Sequence, residues 1–281
     1  MIGGAEDKGP IRNPPIIKQK NRNYIDYDIL GRLIYQEDSL HSTIEIITTA
    51  SQQPLKTGNM YIRSFKKMGF SKVGHISIDN KEESKNPAFL ERIRAARVVF
   101  FSGGDQSRLT GILAGSELLR VIFDRYEHDE SFLLAGTSAG AMAMSQHMIY
   151  HAENNEAMLK GHVKITNGFG LLKNCVVDTH FVKRGRFGRL FQATLMNPGS
   201  IGIGLGEDTG MLFENEIGTC VGSGMVVIVD PSQVTFSSKT AVASDEPISV
   251  ENLVLHVLTK DDRFDLARFR MIPKQSRSLV E

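Results

Sequence analysis

The most informative segment of the chain is residues 133–144, which read Leu-Leu-Ala-Gly-Thr-Ser-Ala-Gly-Ala-Met-Ala-Met. A short apolar run, a Gly-x-Ser-x-Gly turn and an alanine-rich continuation are typical of a strand, a sharp turn and a helix. The glycines let the chain reverse without a Cβ clash, so the hydroxyl of Ser138 becomes a candidate nucleophile. The N–H of Ala139, at the helix start, is a candidate donor to developing negative charge. An ordinary tight turn is the alternative for this motif taken alone.

Strand-like and helix-like segments alternate on the N-terminal side of this turn. Strand-like runs fall at residues 44–49, 73–78 and 97–102. Helical spacing falls at residues 24–37, 58–68 and 87–96. This alternation predicts an α/β fold with a mainly parallel sheet covered by helices. After the turn, residues 151–170 are predicted to form a loop, and the segments beyond residue 210 predict a largely antiparallel finish.

Composition limits the broad class of protein. The 281 residues are 41% hydrophobic and 23% charged, as in ordinary globular proteins, and no linker divides them, so one domain over residues 1–281 is predicted. With 33 basic and 32 acidic residues the net charge is +1, which gives no global attraction to nucleic acid or to a membrane. The absence of a signal peptide and of a long apolar run makes the cytoplasm the default location. Apolar neighbours predict that Cys175 and Cys220 are buried thiols.

A second glycine-containing loop follows the strand-like run that ends near residue 102. Residues 102–109 read Ser-Gly-Gly-Asp-Gln-Ser-Arg-Leu. Glycines at the carboxyl end of a strand leave main-chain N–H groups free to approach a ligand, and open α/β sheets bind ligands at this edge. We expect the loop to lie beside Ser138. A plain strand-to-helix turn is the alternative.

A serine nucleophile needs a base, which is usually an imidazole oriented by a third group. His180 stands at the end of a short strand, and Glu207 follows another strand. Asp178 is an alternative orienting group, because residues i and i+2 of a regular strand share a face. In α/β-hydrolases the acid precedes the histidine, so the order Ser138, His180, Glu207 disfavours that fold. A purely structural histidine is the alternative.

These segments together resemble the cyanophycinase family of serine peptidases. The matching segments, in the family's order, are residues 3–8, 49–51, 102–109, 135–141, 178–189 and 204–209. The resemblance implies a three-layer sandwich similar to class I glutamine amidotransferases, no metal or other cofactor, and a homodimer. It also implies a serine exopeptidase acting on cyanophycin, a polyaspartate backbone with arginine on each β-carboxyl. The products would be β-aspartyl-arginine dipeptides, released through an acyl-enzyme.

The resemblance also assigns roles residue by residue. Ser138 matches the nucleophile, His180 the base and Glu207 the acid that orients it, while Gly104 and Ala139 match the oxyanion donors. The positions that match substrate-binding residues are Gln106, Asp178, Thr179, Arg184, Arg186 and Arg189. Arginines suit such a pocket because guanidinium groups bind carboxylates through two parallel hydrogen bonds. A solvated helix face or an RNA-binding patch is the alternative, and the near-zero net charge weighs against RNA.

The chain departs from the family pattern in three places. Thr179 stands where the family has glutamine, residues 150–156 lack the usual small residues, and the start at Met1 shortens the first strand. The first two departures favour, as an alternative function, a dipeptidase acting on aspartyl or isoaspartyl peptides. A catalytically silent binding protein that retains the pocket is the alternative from a different class.

Overall fold

The computed structural model describes residues 1–8, 27–32, 42–152 and 157–272. Its helices are α1 Asp28–Gly31, α2 Pro54–Lys67, α3 Pro87–Ala95, α4 Gln106–Leu113, α5 Glu117–His128, α6 Ala139–Ala143 and α7 Phe187–Met196. The strands up to the middle of the chain are β1 Thr43–Ile47, β2 Lys72–Ile76, β3 Val98–Phe101, β4 Leu133–Gly136, β5 Ser145–Ala152, β6 Val163–Asn167 and β7 Leu172–Asp178. The later strands are β8 Ile201–Leu205, β9 Thr209–Glu214, β10 Ile217–Gly222, β11 Val226–Asp230, β12 Phe236–Ser237, β13 Val250–Glu251, β14 Val254–Leu258, β15 Arg263–Asp265 and β16 Arg270–Ile272.

The N-terminal half forms a parallel sheet in the order β2-β1-β3-β4. All four residues of β3, Val98–Phe101, are buried, as expected for a strand covered on both faces. Helix α2 turns its apolar side to this sheet and buries Tyr61 and Phe65, with Tyr61 packed on Phe100 at a ring-centroid distance of 4.9 Å. The parallel strands therefore end together at one edge, where the glycine loops follow β3 and β4.

A second sheet has the order β14-β11-β8-β7-β5-β6. Its centre is parallel across β5, β7 and β8, whereas β6, β11 and β14 pair antiparallel with their neighbours. Strands β16-β15-β10-β9 form an antiparallel sheet of their own. Ile2 bridges Thr137 just beyond β4 and Gly210 in β9, so one residue near the N-terminus connects the parallel sheet to this C-terminal sheet.

Local sequence explains where the helices begin. Helix α2 has a proline in its first turn, where no intrahelical partner for its missing N–H is required. The side chains of Asn86, Asp105 and Ser116 accept hydrogen bonds from the first free N–H groups of α3, α4 and α5. The Asp105 cap starts α4 directly after the loop at residues 102–105, which fixes the path of that loop.

The predicted α/β fold with a mainly parallel central sheet is confirmed. The predicted strands before Ser138 and the antiparallel finish are confirmed as well. The loop predicted for residues 151–170 is wrong, because β5 continues through Ala152 and β6 spans Val163–Asn167. The residues of β6 are exposed or half-buried, as in an edge strand, and an edge strand lacks the buried apolar run on which the sequence reading depended.

Two predictions fall partly or wholly outside the described residues. Of the helix predicted at 24–37, α1 covers Asp28–Gly31, and residues 24–26 and 33–37 are outside the described part of the chain. The altered segment 150–156 is described only as far as Ala152. Within the described residues, no helix is both long enough and apolar enough to cross a membrane.

Candidate active site

Ser138 lies in a sharp turn between β4 and α6. Its φ of 51° and ψ of −115° place a residue with a side chain in a sparsely populated backbone region, a form of strain that clusters at functional sites. A Cβ at Gly140 would lie 2.4 Å from the carbonyl oxygen of Phe101, so only glycine lets the helix approach β3 this closely. The N–H of Ser138 donates to the carbonyl of Ile2 at 3.0 Å. The strand–turn–helix predicted from the sequence is confirmed.

The structure brings Ser138, His180 and Glu207 together. Ser138 Oγ lies 3.0 Å from His180 Nε2, and His180 Nδ1 lies 2.7 Å from Glu207 Oε1. With its proton on Nδ1, the ring donates to Glu207 and leaves Nε2 free to accept from the serine hydroxyl. His180 follows β7 and Glu207 follows β8, so adjacent parallel strands present the two side chains at one sheet edge.

The second oxygen of Glu207 has a partner that the sequence did not reveal. Lys183 Nζ donates to Glu207 Oε2 at 2.8 Å, while most of the Lys183 side chain is exposed. Partial burial raises the pKa of Glu207, but hydrogen bonds from Lys183 and His180 outweigh it and hold that pKa below its usual value. Glu207 is therefore favoured as a carboxylate, the form that accepts a hydrogen bond from a protonated Nδ1.

The first residues of the chain lie directly beneath the imidazole. A Cβ on Gly4, whose φ is 95°, would lie 2.4 Å from His180 Nε2, so a side chain there would displace the ring. The carbonyl of Gly3 accepts from the N–H of His180 at 2.8 Å, and the carbonyl of Gly4 accepts from the N–H of Asp208 at 3.0 Å. Together with the bond from Ser138 to Ile2, these contacts tie all three turns of the candidate triad to residues 2–4.

The loop after β3 lies against Ser138, the candidate nucleophile, as predicted. A Cβ at Gly103 would be 3.9 Å from Ser138 Oγ. At Gly104, with φ of 149°, a Cβ would be 2.0 Å from the carbonyl oxygen of Ala50, so the loop needs glycine at this position. Neither the N–H of Gly104 nor that of Ala139 donates to another described residue. Two main-chain donors next to Ser138 are thus available to a ligand.

The arginines predicted to bind substrate divide into two groups. Asp178 is fully buried and accepts hydrogen bonds from Arg186 Nη1 at 3.2 Å and from Arg189 Nε at 2.6 Å. Arg186 Nη1 also donates to the carbonyl of Thr179 at 2.8 Å, whereas its Nε is buried without a partner in the structure. Burial lowers the pKa of the Arg186 guanidinium, an effect that Asp178 partly offsets. Arg184 is exposed and makes no ion pair with a described residue.

The remaining predicted substrate-binding residues lie close to the main chain. Gln106, at the start of α4, donates from its side-chain amide to the carbonyl of Ile149 in β5 at 2.9 Å. Thr179 is buried between Asp178 and His180, and its N–H donates to Asp178 Oδ1 at 2.7 Å. Gln106 thus connects the loop beside Ser138 to β5, and Thr179 fixes the start of the turn that carries His180.

A buried cluster behind the nucleophile was missed at the level of sequence. Glu6 is 3% exposed and accepts hydrogen bonds from the hydroxyl of Tyr61 and, at 2.6 Å, from that of Thr137. Lys8 Nζ lies 3.0 Å from Glu6 Oε1. Thr137 directly precedes Ser138, so this cluster fixes the turn that carries Ser138. The family-like segment at residues 3–8 contains Glu6. No local pattern in the sequence pairs Glu6 with Tyr61 or Thr137, which lie 55 and 131 positions further along the chain.

The two cysteines lie in the interior of the protein. Cys175 and Cys220 are buried thiols, as predicted, and burial raises the pKa of the Cys175 thiol to about 12. Within the part of the chain that the structure describes, no group of three or more His, Cys, Asp or Glu side chains is arranged to hold a metal ion.

Comparison with known proteins gives one consistent result. The family model of peptidase family S51 matches residues 27–220. A protein named cyanophycinase from Trichormus variabilis is 36% identical over 278 residues, covering 99% of this chain and 88% of that protein. A cyanophycinase from Geminocystis herdmanii is 32% identical over 266 residues, covering 94% of this chain and 92% of its own.

Solved structures support the same fold. The crystal structure of a peptidase from an acI-B1 Actinobacterium superposes with a TM-score of 0.59 at 23% identity, covering 79% of this chain and 82% of that one. At this identity the likeness concerns the fold alone. The family match and the long alignments lead to the conclusion that the chain belongs to peptidase family S51 and is a peptidase.

Proposed function

We propose that this chain is a serine exopeptidase that hydrolyses cyanophycin to β-aspartyl-arginine dipeptides. The observation that carries the proposal is the unbroken hydrogen-bonded line from Ser138 Oγ through the ring of His180 to Glu207. The relatives named cyanophycinase, aligned over 99% of the chain, supply the substrate class. The proposed triad order and the acyl-enzyme route follow from this line and from ordinary serine-peptidase chemistry.

The first half of the proposed reaction forms an ester. His180 Nε2 takes the hydroxyl proton while Ser138 Oγ bonds to a main-chain carbonyl carbon of the substrate, and the carbonyl oxygen gains the electron pair of its π bond. The N–H groups of Gly104 and Ala139 then donate to this oxyanion. Glu207 stabilises the protonated ring. The C–N bond breaks as Nε2 gives its proton to the leaving amine, and the acyl group stays on Ser138.

The second half returns the enzyme to its starting state. His180 takes a proton from a water molecule whose oxygen bonds to the ester carbon, and a second oxyanion forms at the same donors. The bond from Ser138 Oγ to the acyl carbon breaks, and the serine oxygen regains its proton from the ring. One water molecule is consumed, and one peptide bond becomes a carboxylate and an amine.

Substrate binding is assigned to the groups around the imidazole. We assign Arg184 and the partly exposed Arg186 to substrate carboxylates, because guanidinium groups bind carboxylates bidentately. Asp178 and Arg189 form a buried pair that holds Arg186 in place, and so act on the substrate through it. Gln106 and Thr179 are proposed to complete the pocket beside the loop after β3 and the turn after β7.

The test is direct hydrolysis of insoluble cyanophycin. We expect the purified chain to release soluble β-aspartyl-arginine, identified by mass spectrometry. The variant Ser138→Ala should lower kcat by about 10⁴-fold or more, since loss of a serine nucleophile leaves only binding and oxyanion contributions. Ser71→Ala, an exposed serine before β2, is the matched control and should retain full activity. Equal background turnover by wild type and Ser138→Ala would instead support a catalytically silent binding protein.

A dipeptidase for aspartyl or isoaspartyl peptides is the second candidate. The observation that favours it is that Arg189 is paired with buried Asp178, so fewer guanidinium groups are free than the repeated carboxylates of a polymer could use. Release of aspartate from isoaspartyl dipeptides, with no soluble product from cyanophycin, would select this function. Product from cyanophycin with no turnover of the dipeptides would exclude it.

A further inference from the structure

A polar cleft lies next to the candidate nucleophile, on the side formed by the loop after β3. Its volume is about 480 Å³, and one wall is the start of helix α2 while the other is Gly104 and Asp105. The residues that line it are Ser51, Gln52, Gln53, Lys56, Thr57, Met60, Gly104 and Asp105. None of these residues except Gly104 has a role in the proposed reaction.

The cleft shares one residue with the proposed oxyanion site. Gly104, which lines it, carries one of the two free N–H groups assigned to the oxyanion. A Cβ placed on the preceding residue, Gly103, would lie 3.9 Å from Ser138 Oγ. A peptide whose scissile carbonyl sits at these donors can place a neighbouring unit in the cleft, because Gly104 belongs to both.

Two opposite charges in the cleft are available to a ligand. Lys56 is exposed and forms no ion pair with any described residue. Asp105 accepts the N–H groups of Ser107 and Arg108 through Oδ1 alone, and no described residue donates to its Oδ2. By contrast, the hydroxyls of Ser51 and Thr57 are hydrogen-bonded to each other at 2.8 Å. They form part of the wall and contribute no charge.

The proposed substrate has the complementary pair of charges in each unit. When arginine is joined through its α-amine to the β-carboxyl of aspartate, its own α-carboxylate and its guanidinium both remain ionised. Ammonium–carboxylate and carboxylate–guanidinium contacts are charge-assisted hydrogen bonds, which are stronger than neutral ones. The exposed amides of Gln52 and Gln53 can accept from and donate to the peptide groups between them.

We propose that this cleft is a binding subsite for the β-aspartyl-arginine unit adjoining the scissile bond. In it Lys56 binds the free arginine carboxylate and Asp105 Oδ2 binds the guanidinium. The inference rests on the proposed function and adds a specificity site to which Arg184 and Arg186 do not contribute. Lys56 and Asp105 are specificity residues here and take no part in proton transfer.

A chemical double-mutant cycle tests the carboxylate contact. The substrates are a synthetic two-unit β-aspartyl-arginine peptide and two derivatives, in each of which one arginine carboxylate is converted to the amide. Lys56→Met should lower kcat/KM on the parent peptide about tenfold, with kcat less affected, as for loss of one hydrogen bond to a charged group. With the wild type, one of the two amide derivatives should show a kcat/KM about tenfold below that of the parent peptide. On that derivative, Lys56→Met should lower kcat/KM no further. Lys66→Met, an exposed lysine of α2 outside the cleft, is the matched control.

The guanidinium contact has a parallel test. Asp105→Asn retains the side-chain oxygen that caps α4 but removes the charge. It should lower kcat/KM on the parent peptide several-fold. It should leave kcat/KM unchanged on a peptide with citrulline in the adjoining unit. Thermal unfolding of both variants should match wild type, because both side chains are exposed.

The outcomes separate the subsite from the proposed function. Equal kcat/KM for Lys56→Met and Lys66→Met, or an undiminished effect of Lys56→Met on both amide derivatives, overturns the subsite while leaving the peptidase assignment in place. A wild-type protein that cleaves neither cyanophycin nor the two-unit peptide overturns both.

Discussion

Two buried carboxylates stand behind the candidate triad, and their partners differ in charge. Glu6 lies below the serine turn and accepts from the neutral hydroxyls of Thr137 and Tyr61, with a single ammonium from Lys8 at its side. Asp178 lies before the histidine turn and accepts from two guanidinium groups. Glu6 is 3% exposed and Asp178 fully buried, so burial alone does not separate them.

The difference shows how each corner is held. Removing the charge of Asp178 leaves two guanidinium groups facing each other in a buried site without a counter-ion. Removing the charge of Glu6 leaves two hydroxyls, which can turn toward other acceptors, and the ammonium of Lys8, whose partly exposed side chain can reach water. The turn that carries Ser138 is therefore held mainly by the direction of the hydrogen bonds to Glu6. The turn that carries His180 is held by the balance of charge around Asp178. The two corners should respond to isosteric substitution by different amounts.

The largest effect is expected from Asp178→Asn. Breaking a buried ion pair on one side typically costs about 3–5 kcal/mol, so the free energy of unfolding should fall by that order. Urea unfolding followed by circular dichroism measures it. Asp79→Asn is the control, because Asp79 pairs with Arg108 at a largely exposed site, where such pairs contribute about 1 kcal/mol or less. Equal losses for the two variants would contradict the role given to Asp178.

A smaller loss is expected from Glu6→Gln. The amide presents a donor to one of the two hydroxyls, and an unsatisfied buried group costs about 1–3 kcal/mol. Because Thr137 is next to Ser138, kcat on the proposed substrate should also fall while KM stays close to wild type. Urea unfolding and steady-state kinetics measure the two effects. A change in KM with kcat unaltered would place Glu6 in substrate binding instead of serine positioning.

Tyr61→Phe should have a smaller effect again. It removes one hydroxyl from Glu6 and keeps the ring packed on Phe100, so the loss should be about 1 kcal/mol. In combination with Glu6→Gln the two losses should not add, since the two substituted side chains contact each other directly. Fully additive losses in urea unfolding would show that the two side chains stabilise the protein independently.

The smallest expected difference concerns acid stability. Burial raises the pKa of Glu6, but Lys8 and the hydroxyls of Thr137 and Tyr61 outweigh it and hold that pKa below its usual value. A carboxyl whose pKa is lower in the folded state stabilises the protein above its unfolded pKa of about 4.3, and this contribution is lost as the pH falls through the folded value. Glu6→Gln should therefore lose less stability than wild type below that pH. Parallel acid-unfolding curves for the two proteins would contradict this assignment.

The sequence was sufficient for the parts of the site that follow from local rules. The Gly-x-Ser-x-Gly turn, the glycine loop at residues 102–105 and the strand ends before His180 and Glu207 each carry their own signal, and parallel strands bring such ends to one edge. Their assembly around Ser138 is confirmed, while their catalytic and substrate-binding roles stay predictions. The single domain over residues 1–281, the homodimer and the cytoplasmic location also stay predictions.

Long-range pairings were beyond the sequence. No local pattern joins Glu6 to Thr137, directs Lys183 to the outer oxygen of Glu207, or seats Gly4 under an imidazole. The strand β6 was missed for a different reason, since an edge strand without a buried face has the composition of a loop. In each case the missing information is which elements meet in space, which depends on the packing of the whole sheet.

The backbone contacts of residues 2–4 have a consequence for how this protein matures. They join the N-terminus to turns near residues 137, 180 and 208, and the nearby bond from Asp7 to Asp208 spans 201 residues. Contacts between such distant parts of a chain form late, because closing a long loop costs entropy before any contact is gained. During synthesis the serine turn is made long before the segments that orient its base. The candidate site of the nascent polypeptide therefore cannot assemble until translation has passed residue 208 and that segment has docked on residues 2–4.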